Sequence, residues 1–193
     1  KRDTEPMTQI VDDRELLAGI ANKDPRALRQ LIARHQLRVF RFIVRIVRDQ
    51  STADEVTNEV FLEAWRNAQT FEGRSSPGTW LLSIAHNRAV SVLRKRREQS
   101  WDETAAKEIA DTDDDPEVVA QKTDKGAVMR RCLDDLTADH REIIDLVYYH
   151  EQSIAEVSAV LGIPEATVKT RMFYARKKLS ELLKAAGVDR GWP

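Results

Sequence analysis

The stretch from Ser153 to Leu179 constrains the fold of this chain most, because it encodes two helices on either side of a sharp turn. Ser153 and Glu156 have the spacing of a capping box, which marks a helix start. Gly162, two residues before Pro164, can adopt the left-handed conformation that ends a helix. Apolar residues recur at helical spacing on both sides: Ile154, Val157, Val160 and Leu161 before the turn, and Val168, Met172, Ala175, Leu179 and Leu182 after it. The pattern predicts a helix-turn-helix, whose second helix lies in the major groove of DNA.

The opposite face of that second helix is rich in cations and aromatic rings. It carries Lys169, Thr170, Phe173, Tyr174 and Lys177, with Arg171, Arg176 and Lys178 beside them. The alternative to DNA recognition is a helical hairpin inside an ordinary bundle, with a solvated basic face. Turn, cap and basic face agree with one another and favour DNA recognition.

Charge is segregated along the chain, although its total is nearly balanced. The formal net charge is −1, so the total does not indicate a nucleic-acid-binding protein. Arginines are concentrated in residues 26–48, 88–97 and 169–178, and acids in residues 102–117. Glycine is scarce and the apolar pattern is helical nearly throughout. We therefore predict an all-α fold of two small helical domains joined by a flexible acidic linker.

The first predicted domain, residues 12–97, begins with three helices. Asp12 or Asp13 can cap the first, Asp24-Pro25 starts the second, and Thr52 opens the third with Glu55 at capping-box spacing. The second helix has a stripe of arginines at every third or fourth position: Arg34, Arg38, Arg41, Arg45 and Arg48. A solvated face is the leading interpretation of this stripe, and a contact with phosphates or an acidic partner is the alternative.

The outer side of the third helix is acidic and polar. It carries Asp54, Glu55, Asn58, Glu59 and Glu63, opposite an apolar side that includes Val56 and Val60. A single acidic helix face is usually only solvated. Here it lies between basic segments, so it could equally be a docking surface for a positively charged protein.

A polar loop and a basic helix follow. Residues 71–79 form a loop by their glycines, proline and serines, and Trp80 is predicted to begin the next helix. Asn87, Ser91 and Arg94 share its outer stripe. Loop, aromatic residue and cations together suit single-stranded nucleic acid with an unpaired base. The ring of Trp80 is either a core residue or a stacking platform, and the core is the more common place for such a ring.

Residues 98–116 are acidic, weakly apolar and poorly periodic, and are predicted to be a linker. This linker is either a solubilising tether or a mimic of nucleic acid in a basic channel. The second domain, residues 117–185, is predicted to begin a helix at Asp115-Pro116 and another after a Thr137 cap. The single cysteine, Cys132, excludes an intramolecular disulfide and reads as a buried structural thiol.

Several classes of protein are disfavoured. The sequence has no carboxylate pair, nucleophile–base set, phosphate-cradling glycine loop or metal-ligand cluster, so we expect neither an enzyme nor a cofactor nor a metal. No apolar run approaches the length of a membrane span, and the N-terminus has no signal-peptide core. We expect a cytoplasmic protein that does not insert into membranes.

Three stretches, in order, resemble the signature segments of the extracytoplasmic-function (ECF, group 4) sigma factors of bacterial RNA polymerase. Ala53-Asp-Glu-Val-Thr-Asn-Glu-Val-Phe61, with Ala64-Trp65, resembles the family's core-polymerase-binding motif. Thr79-Trp-Leu-Leu-Ser-Ile-Ala-His-Asn-Arg88 resembles its promoter-melting helix, and Thr167-Val-Lys-Thr-Arg-Met-Phe-Tyr-Ala-Arg176 resembles its second DNA-binding domain. The likeness extends from about residue 12 to residue 185.

The resemblance implies three binding surfaces and a regulator. Core polymerase would be bound by Asp54, Glu55, Asn58 and Glu59, which would dock on the clamp helices of its largest catalytic subunit. The minus-ten promoter element would be captured and melted by Arg74, Ser75, Ser76, Trp80, Asn87, Arg88, Ser91 and Arg94. The minus-thirty-five element would be read by Lys169, Thr170, Arg171, Phe173 and Tyr174, with Arg176 and Lys177 on phosphates. An anti-sigma factor would be a further partner, and we expect the free protein to be a monomer.

Some positions depart from the family's usual residues. Asn58 stands where glutamine is common, Ser91 where an acid is frequent, and Tyr174 where arginine is usual. Pro164 and Ala166 replace the usual serine and glycine before the recognition helix. These differences bear on which promoter is read. Two other functions are compatible with parts of the sequence: a stand-alone helix-turn-helix regulator, and a sigma-like decoy that binds an anti-sigma factor.

Overall fold

The computed structural model describes residues 11–100 and 123–188, and within these ranges every regular element is helical. The predicted all-α fold is confirmed. The first half contains four α-helices: α1 (Asp13–Ala21), α2 (Pro25–Val47), α3 (Gln50–Asn67) and α4 (Pro77–Ser100). The described part of the second half contains α5 (Thr123–Asp134), α6 (Ala138–Ile144), α7 (Ile154–Leu161) and α8 (Glu165–Ala185). None of these helices is long and apolar enough to cross a membrane.

The helices of the first half surround one apolar core. α2 packs against α1, α3 and α4, and fully buried side chains such as Leu31, Phe42, Val60 and Leu81 fill the space between them. The predicted starts of the first two helices are confirmed. Asp12 forms a capping box at α1, and Asp24 accepts a hydrogen bond from the Arg26 backbone N–H, 2.8 Å away, at α2.

Two other predicted helix starts are wrong. α3 begins at Gln50 rather than Thr52, because the carboxylate of Asp49 accepts the Thr52 backbone N–H at 2.8 Å and caps the helix one turn earlier. α4 begins at Pro77 rather than Trp80. The ring of Pro77 suits the first helical position, and the Ser76 hydroxyl accepts the Thr79 N–H at 3.1 Å.

The second half is built around Leu136, Ile143, Val157 and Leu179, all buried. Thr137 caps α6 as predicted, and α6 continues into a single π-helical turn, Asp145–Tyr149. Cys132 is buried as expected, and burial raises the pKa of its thiol. The predicted helix start at residues 115–116 and most of the predicted linker lie outside the described residues.

The arginine stripe of α2 contacts groups of the same chain, so its interpretation as a solvated face is wrong. Arg34 pairs with Asp13 at 2.7 Å. The other three contacts reach the second half: Arg38 donates to the His150 carbonyl at 2.6 Å, Arg45 pairs with Asp145, and Arg48 pairs with Asp134 at 2.7 Å. The two halves are therefore in direct contact through α2, and also through α4, which packs against α7.

Candidate nucleic-acid interface

The helix-turn-helix is confirmed in detail. Ser153 and Glu156 form a reciprocal capping box, and hydrogen bonds from Ser153, led by its backbone N–H, lower the pKa of the Glu156 carboxyl. Gly162 ends α7 with φ of 65°, a left-handed conformation that favours glycine. The Ser158 hydroxyl donates to the carbonyl of Ile163 at 2.6 Å and fixes the turn. The start of α8 is thus held at a defined angle to α7.

The outer face of α8 presents rings and cations to solvent. Phe173 is 64% exposed and Tyr174 is 54% exposed, and their rings meet edge to face with centroids 5.4 Å apart. The neighbouring residues Lys169, Thr170, Arg176 and Lys177 are also exposed, while the inner face buries Val168, Met172, Ala175 and Leu179. Large exposed apolar rings are unusual on a monomer and indicate a binding surface.

Two of the predicted recognition residues have partners within the chain. Arg171 is half-buried and pairs with Asp139 at 3.1 Å, which ties α8 to α6. The Thr170 hydroxyl donates to the Ala166 carbonyl at 3.0 Å, so its proton is already used by the helix backbone. The structure therefore places Lys169, Phe173, Tyr174 and Lys177 more openly toward a ligand than these two.

The loop before α4 is polar at its tip and apolar at its base. Arg74 and Ser76 are exposed, and Ser75 is half-buried. Trp80 is half-buried and meets the ring of Phe71 at 5.6 Å, so it supports the loop while part of its surface remains accessible. The loop also has a tie to α1, because Arg14 donates to the Gly73 carbonyl at 3.4 Å.

The predicted DNA stripe of α4 borders the predicted polymerase face of α3. Asn87, Arg88 and Arg94 are exposed and Ser91 is half-buried. Arg88 joins the two surfaces: its guanidinium lies 2.6 Å from Glu63 and 3.6 Å from Glu59. Asp54, Glu55, Asn58 and Glu59 are all exposed, while Ala53, Val56, Thr57 and Val60 are buried on the other side of α3.

The sequence reasoning missed a polar network where α4 meets the second half. The Thr79 hydroxyl is buried and lies 2.8 Å from Gln152 Oε1 and 3.0 Å from Glu156 Oε1. Seven residues along α4, on the same face, His86 Nδ1 lies 2.6 Å from Glu142 Oε1. A polar side chain at each site was visible in the sequence, but nothing local showed that they pair.

Comparison with known proteins identifies both halves. Residues 31–99 match the family model for Sigma-70 region 2, and residues 132–181 match the model for Sigma-70, region 4. Relatives named ECF RNA polymerase sigma factor SigK are similar over most of the chain. The protein from Mycobacterium ulcerans is 35% identical over 187 residues, which cover 95% of this chain and 100% of that protein. The protein from Mycolicibacterium vanbaalenii is 34% identical and covers 90% and 88% of the two chains.

Two solved structures have the same fold. The sigma factor RpoE of Bartonella quintana, in complex with the anti-sigma factor NepR, superposes with a TM-score of 0.71 at 25% identity, over 84% of this chain and 98% of that one. CnrH, in complex with the cytosolic domain of CnrY, gives a TM-score of 0.66 at 28% identity, over 90% and 97%. Sigma factors initiate transcription and are not enzymes. With a relative 35% identical along its whole length, this chain belongs to the ECF RNA polymerase sigma factors of the sigma-70 family.

Proposed function

We propose that this sigma factor recognises its promoters with two DNA-binding surfaces and holds core polymerase with a third. Residues 12–97 form the domain for polymerase and the minus-ten element, residues 117–185 the domain for the minus-thirty-five element, and residues 98–116 the linker. One observation carries the proposal: a single chain exposes a cationic aromatic helix face, an acidic helix face, and a polar loop followed by a basic helix.

The exposed face of α8 reads the upstream element. Lys169 can donate to guanine, and the rings of Phe173 and Tyr174 can contact thymine methyl groups. Arg176 and Lys177 lie farther along the helix, where they suit phosphate contacts. Arg171, held by Asp139, positions α8 on its domain rather than reading a base, which revises the role that the resemblance implied for it.

The loop tip and the outer stripe of α4 capture the minus-ten element. Arg74, Ser75 and Ser76 receive the unpaired base, and the accessible part of the Trp80 ring lies beside them. Asn87, Arg88, Ser91 and Arg94 hold neighbouring bases and phosphates. Strand separation follows because a splayed base gains these contacts only outside the duplex.

The acidic face of α3 docks on core polymerase. Asp54, Glu55, Asn58 and Glu59 share this face and are exposed, so they can form charge-assisted contacts with a basic partner surface. We also propose that the free protein is a monomer in the cytoplasm and is held by an anti-sigma factor. The two similar structures, RpoE and CnrH, were each solved with a protein partner, and the first of these partners is named as an anti-sigma factor.

Transcription in vitro tests the proposal. Core RNA polymerase from the source bacterium would be combined with this protein and a library of genomic DNA fragments. We expect transcripts from a small set of fragments that share two sequence elements, and none from core alone. DNA binding without any polymerase-dependent transcription would instead support a stand-alone helix-turn-helix regulator. Neither DNA binding nor transcription, with retained binding to an anti-sigma factor, would support a decoy.

A further inference from the structure

The second half of the chain is docked on a face of the first half formed by α2 and the start of α4. Arg45 pairs with Asp145 and lies 3.9 Å from the centroid of the Tyr149 ring. Asp145 is buried, and removing one partner of a buried ion pair is strongly destabilising. Arg48 adds a second pair, to Asp134. This interface is therefore specific rather than a loose contact of two tethered domains.

His150 lies at the centre of the interface and is 5% exposed. Its Nδ1 atom lies 3.4 Å from Nε of Arg38, which can only donate, so Nδ1 is the acceptor. Its Nε2 atom lies 3.3 Å from a carboxylate oxygen of Asp145, which fits an N–H directed at that carboxylate. The edge of the Phe42 ring closes another side, with centroids 5.4 Å apart. The neutral ring with its proton on Nε2 satisfies both neighbours.

A second proton on His150 would point at a guanidinium. Burial, followed by the charges of Arg38 and Arg45, lowers the pKa of His150 to about 4. Asp145 opposes this shift, but its carboxylate is shared with Arg45. Glu156 of α7 also faces Arg38 and offsets part of its charge. The docked state therefore excludes the proton, whereas a separated domain would hold His150 in water with an ordinary pKa.

The docked state also fixes the distance between the two proposed DNA surfaces. Glu156 touches Thr79 beside the minus-ten loop. From Glu156, the end of α7, the turn and the first turn of α8 reach Lys169 within roughly 30 Å. Promoter elements centred about twenty-five base pairs apart are separated by roughly 85 Å of duplex. Docked domains cannot span that distance, so one promoter cannot occupy both surfaces until they separate.

We propose that the α2–α4 face is a docking site for the chain's own second domain, forming a proton-sensitive latch that must open before the protein can engage both promoter elements. Opening is driven by core polymerase, which separates the domains, and is favoured by protonation of His150. The exclusion of simultaneous promoter contacts rests on the proposed function. The docking and its response to protons do not.

Small-angle X-ray scattering of the full chain tests the latch. We expect a compact particle at pH 7.5 that expands in Arg45→Glu, while the Arg45→Asp/Asp145→Arg exchange restores compactness. Arg41→Glu is the matched control, because Arg41 is an exposed residue of the same helix. If Arg45→Glu stays as compact as Arg41→Glu, the docking proposal is overturned.

The response to pH is tested in the same way. Protonation of His150 should raise the ratio of open to docked molecules roughly thirty-fold between pH 7.5 and pH 5, given a pKa of about 4 when docked and 6.5 when free. His150→Gln keeps an N–H for Asp145 without titrating, so it should stay compact at pH 5. His86 faces Glu142 across the interface, where a proton would favour docking, so His86→Gln should enhance the opening. An identical pH response in His150→Gln and wild type would overturn the role of His150.

Transcription separates this inference from the proposed function. Arg45→Glu should bind core polymerase more tightly than wild type does, because no latch opposes the spread arrangement. If it expands in scattering but binds core and transcribes as wild type does, docking imposes no barrier and the inference fails while the sigma function stands. If wild-type protein supports no transcription at all, the proposed function fails, and the promoter part of the inference fails with it.

Discussion

Arg88 shows how one residue can link two binding surfaces. It belongs to the stripe of α4 proposed for minus-ten DNA, yet Glu63 and Glu59 of the polymerase face hold its guanidinium. Both contacts are part-exposed, so each stabilises the protein by no more than about 1 kcal/mol. Their value is therefore in orientation rather than stability: Glu63, the nearer partner, fixes where the guanidinium points.

Glu63→Gln is expected to weaken minus-ten recognition without unfolding the protein. The amide keeps the size of the side chain but not its charge, so Arg88 loses its ionic anchor and samples more conformations. Open-complex formation should fall by roughly 2- to 5-fold, about 0.5–1 kcal/mol, with a smaller effect in 0.3 M salt, where wild type is also screened. In an Arg88→Ala background Glu63→Gln should have no effect. An equal loss in both backgrounds would show that Glu63 acts independently of Arg88.

At the scale of the element, α8 carries promoter choice on a surface that its own domain does not need. Lys169 and Tyr174 project from α8 opposite the buried Val168 and Met172. Substitutions on the outer face should therefore change DNA affinity while leaving the free energy of unfolding nearly unchanged.

Lys169→Ala and Tyr174→Ala are expected to alter preference at individual base pairs of the upstream element. Each specific contact that is lost should cost about 1–3 kcal/mol at one position and little elsewhere. Lys177→Ala, a change in a proposed phosphate contact on the same helix, is the control and should weaken all promoters about equally. Transcription from a library of upstream variants measures both patterns. If Lys169→Ala and Tyr174→Ala each transcribe every variant as wild type does, α8 does not read bases through these residues.

The acidic face of α3 makes a similar separation between binding and folding. Reversing charge in Asp54→Lys/Glu59→Lys should abolish co-purification with core polymerase and leave the helical circular dichroism intact, because both positions are exposed. Arg66→Glu, an exposed charge reversal near the other end of α3, is the control. Unchanged association of the double variant with core would contradict the polymerase assignment.

At the scale of the whole molecule, the sequence predicts what local chemistry decides and fails where distant segments meet. The turn at Gly162 and the Ser153–Glu156 capping box depend on neighbours in the chain, so they could be predicted. The start of α3 was misplaced because Asp49 and Thr52 have the same capping chemistry at adjacent turns. The arginines of α2 alternate like a solvated stripe, and only the fold brings Asp145 to Arg45.

Docking of the two domains should also appear in the local stability of the chain. Hydrogen exchange reports opening region by region, and segments that protect one another open together. In Arg45→Glu, exchange should increase in residues 145–156 and 77–82, which face each other, more than in residues 53–64 of α3, which lie in the core of the first domain. Arg41→Glu should leave both regions near wild type. Uniform acceleration across all three segments would mean that Arg45 supports global folding instead of the contact between domains.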